Sequence, residues 1–211
     1  MSSLLQIIFF ALLVRPLLAF FIGVRVRGLK ELPRQHPFII VANHTSHLDA
    51  VALLNLFPLK DLARIRPVAA ADYFHRNAMV AWFSHCFFNI LPIERQHISR
   101  EHNPLPVLRE ALMRGESLII FPEGTRSVSG DLGAFHSGIA HMIQEFPQIP
   151  VIPVFMSNMG RALPKGEFIL LPFICEVNIG TPVFVQGSKE DILNALRDAF
   201  LKLRGESSWS R

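Results

Sequence analysis

From Phe38 onward, short apolar runs of strand length alternate with stretches whose apolar residues recur at helical spacing, and no other feature limits the fold so strongly. FIIVAN, with its apolar Phe38-Ile39-Ile40-Val41, reads as a strand leading into a helix from near Ser46 to just before Pro58. RPVAAA from Arg66 is strand-like, Arg76 to Phe87 is an apolar helix, and NILPIE is a strand. Pro104 to Arg114 carries Val107, Leu108, Ala111 and Leu112 at helical spacing and ends at Gly115. SLIIF predicts a strand, Ser137 to Phe146 a helix, VIPVF a strand, and ICEVNIG and PVFV two more strands. The final stretch from Ser188 opens on a Ser-x-x-Asp capping box and has an amphipathic face. Alternation of this kind predicts the α/β class, a mostly parallel central sheet flanked by helices.

At 211 residues the chain can build one such domain with a full core. The expected division is an apolar segment over 1–30, the domain over 31–205, and a frayed tail over 206–211.

Leu4 to Val24 is about the length of a membrane-spanning helix, but Arg15 and Pro16 stand at its middle. A centred arginine costs about 2.5 to 3.5 kcal/mol on insertion scales. Pro16 is expected to kink or break the helix beside it. A kinked or two-piece helix lying in one leaflet is therefore preferred to a simple span. A cleaved secretory signal fits less well, because no basic residue precedes the apolar run and no A-x-A site follows it. A buried core helix is the other alternative. Half of the residues are hydrophobic, 18 are phenylalanine, and only 18% are charged against about 25% in ordinary soluble proteins, which favours a surface that meets lipid. Arg25, Arg27, Lys30 and Arg34 follow the apolar run, where juxtamembrane cations gain about 1 kcal/mol each from anionic headgroups. By the positive-inside rule they place the domain on the cytoplasmic face.

A net charge of +4 invites a nucleic-acid partner. No basic stripe interleaved with aromatics is present, and no zinc-finger or RRM signature, so no nucleic acid is expected. Cys86 and Cys175 lie far apart without a CxxC partner, which excludes a disulfide framework and a zinc site and leaves them as small core residues. Cys86 as a nucleophile beside His85 is disfavoured, since adjacent residues rarely present their side chains to each other.

Ionisable groups collect in VANHTSHLDA, Val41 to Ala50. Ser46 and Asp49 stand at capping-box spacing, so Asp49 could do no more than tie down backbone amides. His44, however, falls in the turn between strand and helix, where α/β folds place ligand-facing side chains. On a continuous helix an offset of five separates two side chains by about 140 degrees, so His44 can meet Asp49 only from the turn. An aspartate on one imidazole nitrogen would fix the tautomer and leave the other nitrogen to take a proton. His47 competes for that role. A second cluster, Phe121-Pro122-Glu123-Gly124-Thr125-Arg126-Ser127, fits an ordinary Pro-Glu-Gly turn or an anion site built from backbone amides and the Arg126 fork. Arg95, at the end of the strand NILPI, is alone no more than a solvated charge.

NHTSHLD from Asn43, Arg95, FPEGTRS from Phe121 and VIPV from Val151, in this order and spacing, resemble the four motif blocks of the glycerolipid acyltransferases typified by 1-acylglycerol-3-phosphate acyltransferase. The resemblance covers roughly residues 36 to 156. It implies an O-acyltransferase of phospholipid biosynthesis that moves an acyl chain from acyl-CoA or acyl-carrier protein to the free hydroxyl of a lysophospholipid. The acceptor it implies is 1-acylglycerol 3-phosphate, the lysophosphatidic acid whose acylation gives phosphatidic acid. His44 would be the general base and Asp49 its orienting partner, while Arg95, Glu123, Gly124, Thr125 and Arg126 would hold the glycerol phosphate. No metal or cofactor is implied beyond the thioester co-substrate, and the apolar N-terminus is similar to the membrane-docking helices of that family. Another lysolipid acceptor, a thioesterase and a non-catalytic membrane adaptor are the alternatives. No G-x-S-x-G elbow is present to supply a serine nucleophile, and Walker and Rossmann glycine motifs are missing as well.

One departure matters. Many relatives carry a lysine just before the glycine that follows the E-G-T-R block, where this chain has Ser137 in Phe135-His136-Ser137-Gly138. Lys165 or Arg161, in RALPKGE, could restore the charge. The acyl chain is expected against apolar residues between Val68 and Phe88, where Trp at Ala78 or Ala81 would test a length-measuring tunnel.

Overall fold

The computed structural model describes residues 2–71, 78–94, 103–127, 132–164, 167 and 169–207. Among them seven strands form one sheet: β1 (Val24–Arg27), β2 (Ile39–Ala42), β3 (Ile65–Ala70), β4 (Leu91–Ile93), β5 (Ser117–Ile120), β6 (Val151–Ser157) and β7 (Cys175–Ile179). Their order is β1-β7-β6-β2-β5-β3-β4, and every pairing is parallel except that of β6 with β7. The α/β expectation therefore holds, with one antiparallel step near an edge.

β2 sits at the centre because it can be buried on both faces. All four of its residues are buried, and Ile40 lies in register with Ile119 of β5 and Ile152 of β6. The period of two sends alternate side chains to opposite cores. Ile40 and Ala42 join α3 (Leu48–Asn55) and the N-terminal helices on one face. Ile39 and Val41 join α5 (Leu105–Met113), α6 (Gly138–Glu145) and α8 (Lys189–Gly205) on the other. The Ser188–Asp191 capping box that starts α8 forms as read, each side chain bonded to the other residue's backbone N–H.

Of the kink or break expected at Pro16, the break does not occur. α1 (Ser2–Phe9) passes through a π turn, Phe10–Val14, into α2 (Arg15–Phe21). In that turn the N–H of Arg15 bonds to the carbonyl of Phe10, five residues back. The extra residue resets the helical register just ahead of Pro16, which then occupies the start of α2 without interrupting it. Phe10, Val14, Leu18 and Ile22, four apart, are buried against the sheet. Each contributes about 1.5–3 kcal/mol by area transfer. Arg15, costly in lipid, donates through Nη2 to the Phe57 carbonyl at 2.8 Å, just past the C-terminal end of α3 where the helix dipole favours a cation. Phe9 packs against Phe83, Phe87 and Phe88 of α4 (Ala78–Phe88). The opposite side of the run is open, with Leu12 75% and Phe20 86% exposed.

Two strand readings change. PVFV contributes only an isolated bridge, Val183 to Val151; Pro182 offers no amide to a ladder and Phe184 is exposed. VRVR, read only as juxtamembrane charge, is β1, a half-exposed edge strand paired with β7. Arg25 and Arg27 lie 3.6 and 3.9 Å from the buried carboxylate of Glu176, so these two cations hold the sheet edge as well as facing outward.

Candidate active site

β2 and β5 are parallel neighbours, so the turns that follow them emerge side by side at one edge of the sheet, the usual ligand edge of an α/β fold. His44 lies in the turn between β2 and α3, and Glu123 to Arg126 lie beyond β5. The Ser127 N–H donates to the His44 carbonyl at 2.8 Å, which ties the two turns together.

The His44–Asp49 pair is formed. Nδ1–H of His44 donates to Oδ2 of Asp49 at 2.8 Å, and the same oxygen accepts the backbone N–H groups of Thr45 at 2.6 Å and Ser46 at 2.9 Å. One oxygen of Asp49 thus both anchors two backbone amides and bonds the imidazole of His44. Only half of the capping box forms: Asp49 accepts the Ser46 N–H, but the Ser46 hydroxyl accepts the Leu48 N–H at 3.2 Å instead of that of Asp49, and donates to the Leu163 carbonyl at 2.8 Å beyond α7 (Met159–Ala162). With Asp49 wholly buried and the His44 side chain 21% exposed, the acid is sealed behind an imidazole whose Nε2 is left with its lone pair. The imidazole also stacks on Phe121, centroids 4.1 Å apart at 20°.

Asn43 was read only as part of a motif, and its role is visible only in three dimensions. Its buried amide accepts from the Met156 N–H at 2.7 Å and donates to the Met156 carbonyl at 2.9 Å, extending the β2–β6 pairing by one side chain. The turn holding His44 thus leaves the sheet from a fixed point. The polar Asn after an apolar strand was the available signal.

His47 stands at the start of α3 and is not paired with Asp49 in the way His44 is. Burial, then the positive charges of Arg126 and His44, push its pKa down to about 4 against a weaker pull from Asp49. It is neutral near pH 7.

Glu123 has partners that its expected place beside a phosphate did not foresee. Its Oε1 accepts the His44 N–H and its Oε2 the Gly133 N–H, both at 3.1 Å. Burial raises its pKa while these two amides pull it back. Gly124 takes φ +67°, and Thr125 is exposed. Arg126 is half-buried, and its Nη1 is buried without a hydrogen-bond partner among the described residues. Arg95 and Lys165 lie outside the described residues, as do 72–77 of the expected acyl-chain region. Arg161 lies over the Phe173 ring, 4.6 Å from its centroid. Among the described residues no cluster of His, Cys, Asp and Glu could hold a metal ion.

A family profile described as Acyltransferase matches residues 23–157. The 1-acyl-sn-glycerol-3-phosphate acyltransferase alpha of Bos taurus is 27% identical over 180 residues, covering 84% of this chain and 60% of that protein. The chloroplastic 1-acyl-sn-glycerol-3-phosphate acyltransferase BAT2 of Brassica napus is 32% identical over 175 residues, covering 80% and 46%. This chain thus spans about 60% or less of the length of these two curated relatives. The crystal structure of the 1-acyl-sn-glycerophosphate (LPA) acyltransferase PlsC from Thermotoga maritima superposes with a TM-score of 0.72 at 25% identity, over 92% of this chain and 76% of that one. With the profile covering well over half of its residues, including both turns that build the site, the chain belongs to the acyltransferase family.

Proposed function

We propose that the chain transfers an acyl group from an acyl thioester to the free hydroxyl of 1-acylglycerol 3-phosphate, giving phosphatidic acid and a free thiol. The observation that carries this reading is the 2.8 Å bond from His44 to buried Asp49 on a turn tied directly to the loop of Arg126. With Nδ1–H committed, Nε2 takes the proton of the acceptor hydroxyl as its oxygen attacks the thioester carbonyl. The tetrahedral intermediate collapses by breaking the C–S bond, and the imidazolium returns the proton to the departing thiolate. No covalent enzyme intermediate and no metal enters the balance.

Thr125 and the Arg126 guanidinium bind the acceptor phosphate, joined by Arg95. Glu123 is assigned a positioning role, since an ionised carboxylate would repel phosphate and both of its oxygens already serve backbone amides. The acyl donor is acyl-CoA or acyl-carrier protein.

Leu4 to Phe21 is long and apolar enough to cross a membrane by length and composition. Its alternate stripe packs on the domain, however, and Leu12, Leu13, Phe20 and Phe21 stand open together with Met79 and Trp82 of α4. We place this face in one leaflet, with the domain on the cytoplasmic side.

The test is the His44→Ala variant, incubated in vesicles with lysophosphatidic acid and acyl-CoA or acyl-carrier protein, and read by mass spectrometry of the lipid product. Phosphatidic acid should form with the native chain, at a rate about 10³-fold higher than with the variant. Normal transfer by the variant would remove this mechanism, and thiol release without acceptor would replace acyl transfer by hydrolysis.

A further inference from the structure

Beyond Gly133 the chain returns along the turn that follows β5. It is fixed there at two points: the Gly133 N–H donates to Glu123 at 3.1 Å and the His136 N–H to the Pro122 carbonyl at 2.9 Å. Gly124 follows directly on Pro122 and Glu123, the two residues of the turn that hold these anchors. A Cβ built on Gly124 would stand 2.9 Å from both Cδ2 and Nε2 of His136, so the imidazole edge lies directly against this α-carbon. Glycine is required here by its φ of +67°, and any Cβ would also push the exposed ring aside.

Nothing internal explains why the ring is a histidine. His136 is exposed, and among the described residues its imidazole makes no side-chain hydrogen bond or ion pair. Glu123, immediately before the glycine on which the ring rests, has each oxygen bonded to a backbone amide. Two residues beyond Gly124, Arg126 has a buried Nη1 without a partner among the described residues. The hydroxyl of Ser137 makes no cap on α6, so the turn is bordered by open polar donors.

We propose that His136 is a further acceptor-binding residue, its imidazole donating to the phosphomonoester from across Gly124 while Arg126 donates from the turn itself. This rests on the acyl-transfer reading and adds to it. A phosphomonoester could also belong to the 3′-phosphate of acyl-CoA, but the acceptor is favoured by connectivity. Its reacting hydroxyl and its phosphate are on adjacent carbons of glycerol, so a phosphate held here must sit close to the base. The turn meets that demand through the bond of Ser127 to His44. Ser137, at the position where relatives carry lysine, is not the substitute; the residue before it is.

The experiment is steady-state kinetics of His136→Ala, His136→Gln and His136→Lys, with lysophosphatidic acid, with the matching monoacylglycerol that lacks phosphate, and with acyl donor varied. His136→Ala and His136→Gln should raise the lysophosphatidic acid KM about tenfold, with kcat, donor KM and monoacylglycerol KM within about twofold of the native values. His136→Lys should keep the native acceptor KM within about threefold. An unchanged acceptor KM in both neutral variants overturns the assignment, as does an equal rise for monoacylglycerol or a rise confined to the donor. Native protein that makes phosphatidic acid while the variants behave normally would sink only the role of His136; native protein that makes none would sink the reading beneath it.

Discussion

The two turns that meet at the site are built on opposite principles. In the turn after β2 Asn43 is committed to β6, Ser46 to Leu163, and one oxygen of Asp49 to three donors at once, while among the described residues its other oxygen is buried without a partner. In the turn after β5, Thr125 is exposed, Arg126 has a buried donor without a partner among the described residues, and the His136 ring lies exposed against Gly124. A proton-transfer group needs one geometry and one tautomer, which a closed network supplies before substrate arrives. A binding surface needs donors whose partners are still to come, and an unpaired buried donor is a standing cost of about 1–3 kcal/mol until they do. Damage to the first turn should therefore appear in kcat, and damage to the second in acceptor KM.

The largest effect is expected from Asp49→Asn. An amide cannot accept from His44 and from two backbone amides at the single place now filled by a charged oxygen. Turning its NH2 toward Nδ1 would move the imidazole proton to Nε2 and remove the base. kcat should fall about 10³-fold, with acceptor KM changed less than about threefold. A loss below about tenfold in steady-state assays would mean that the closed turn is structural only.

Arg126→Met probes the open turn and carries two opposite signs. Acceptor KM should rise about tenfold to a hundredfold with kcat nearly kept, because a guanidinium–phosphate pair forms in both ground and transition states. The unliganded protein should at the same time gain about 1 kcal/mol in urea unfolding, since a buried donor without a partner is removed. Lower stability together with an unchanged KM would place Arg126 among the structural cations.

This contrast also explains what could be read before any coordinates. The mostly parallel sheet was legible in apolar runs such as Phe38 to Val41 and Ser117 to Phe121, which can be buried on both faces, while the order of its strands was not read. The His44–Asp49 pair was legible because an offset of five excludes a helix and demands a turn. VRVR was not recognised as β1, because its alternation of apolar and basic residues also fits a juxtamembrane segment, and the buried partner, Glu176, lies far along the chain. The π turn ahead of Pro16 was hidden because backbone register at a proline depends on what the helix packs against. The contact of His136 with Gly124 could not be inferred either, since it is set by two backbone hydrogen bonds that no residue pattern encodes.

The smallest effect joins the two turns through His47. Its folded-state pKa of about 4 lies below the ordinary 6.5, so between these values the unfolded chain binds the proton more readily than the folded one. Its contribution to stability is full above about pH 6.5 and is lost as the pH falls toward 4. His47 is exposed by its surface area, so the contribution is screened and should be modest. Unfolding midpoints measured across that window should fall less steeply for His47→Asn than for the native chain. Arg126 is the second cause of the shift, after burial and ahead of His44, so Arg126→Met should flatten the same slope part of the way. If the slope changes with His47→Asn and not with Arg126→Met, burial alone sets the charge state of His47, and the turns communicate only through their backbone bonds. If both change it, the cation offered to phosphate by the open turn also keeps the closed turn's second histidine neutral.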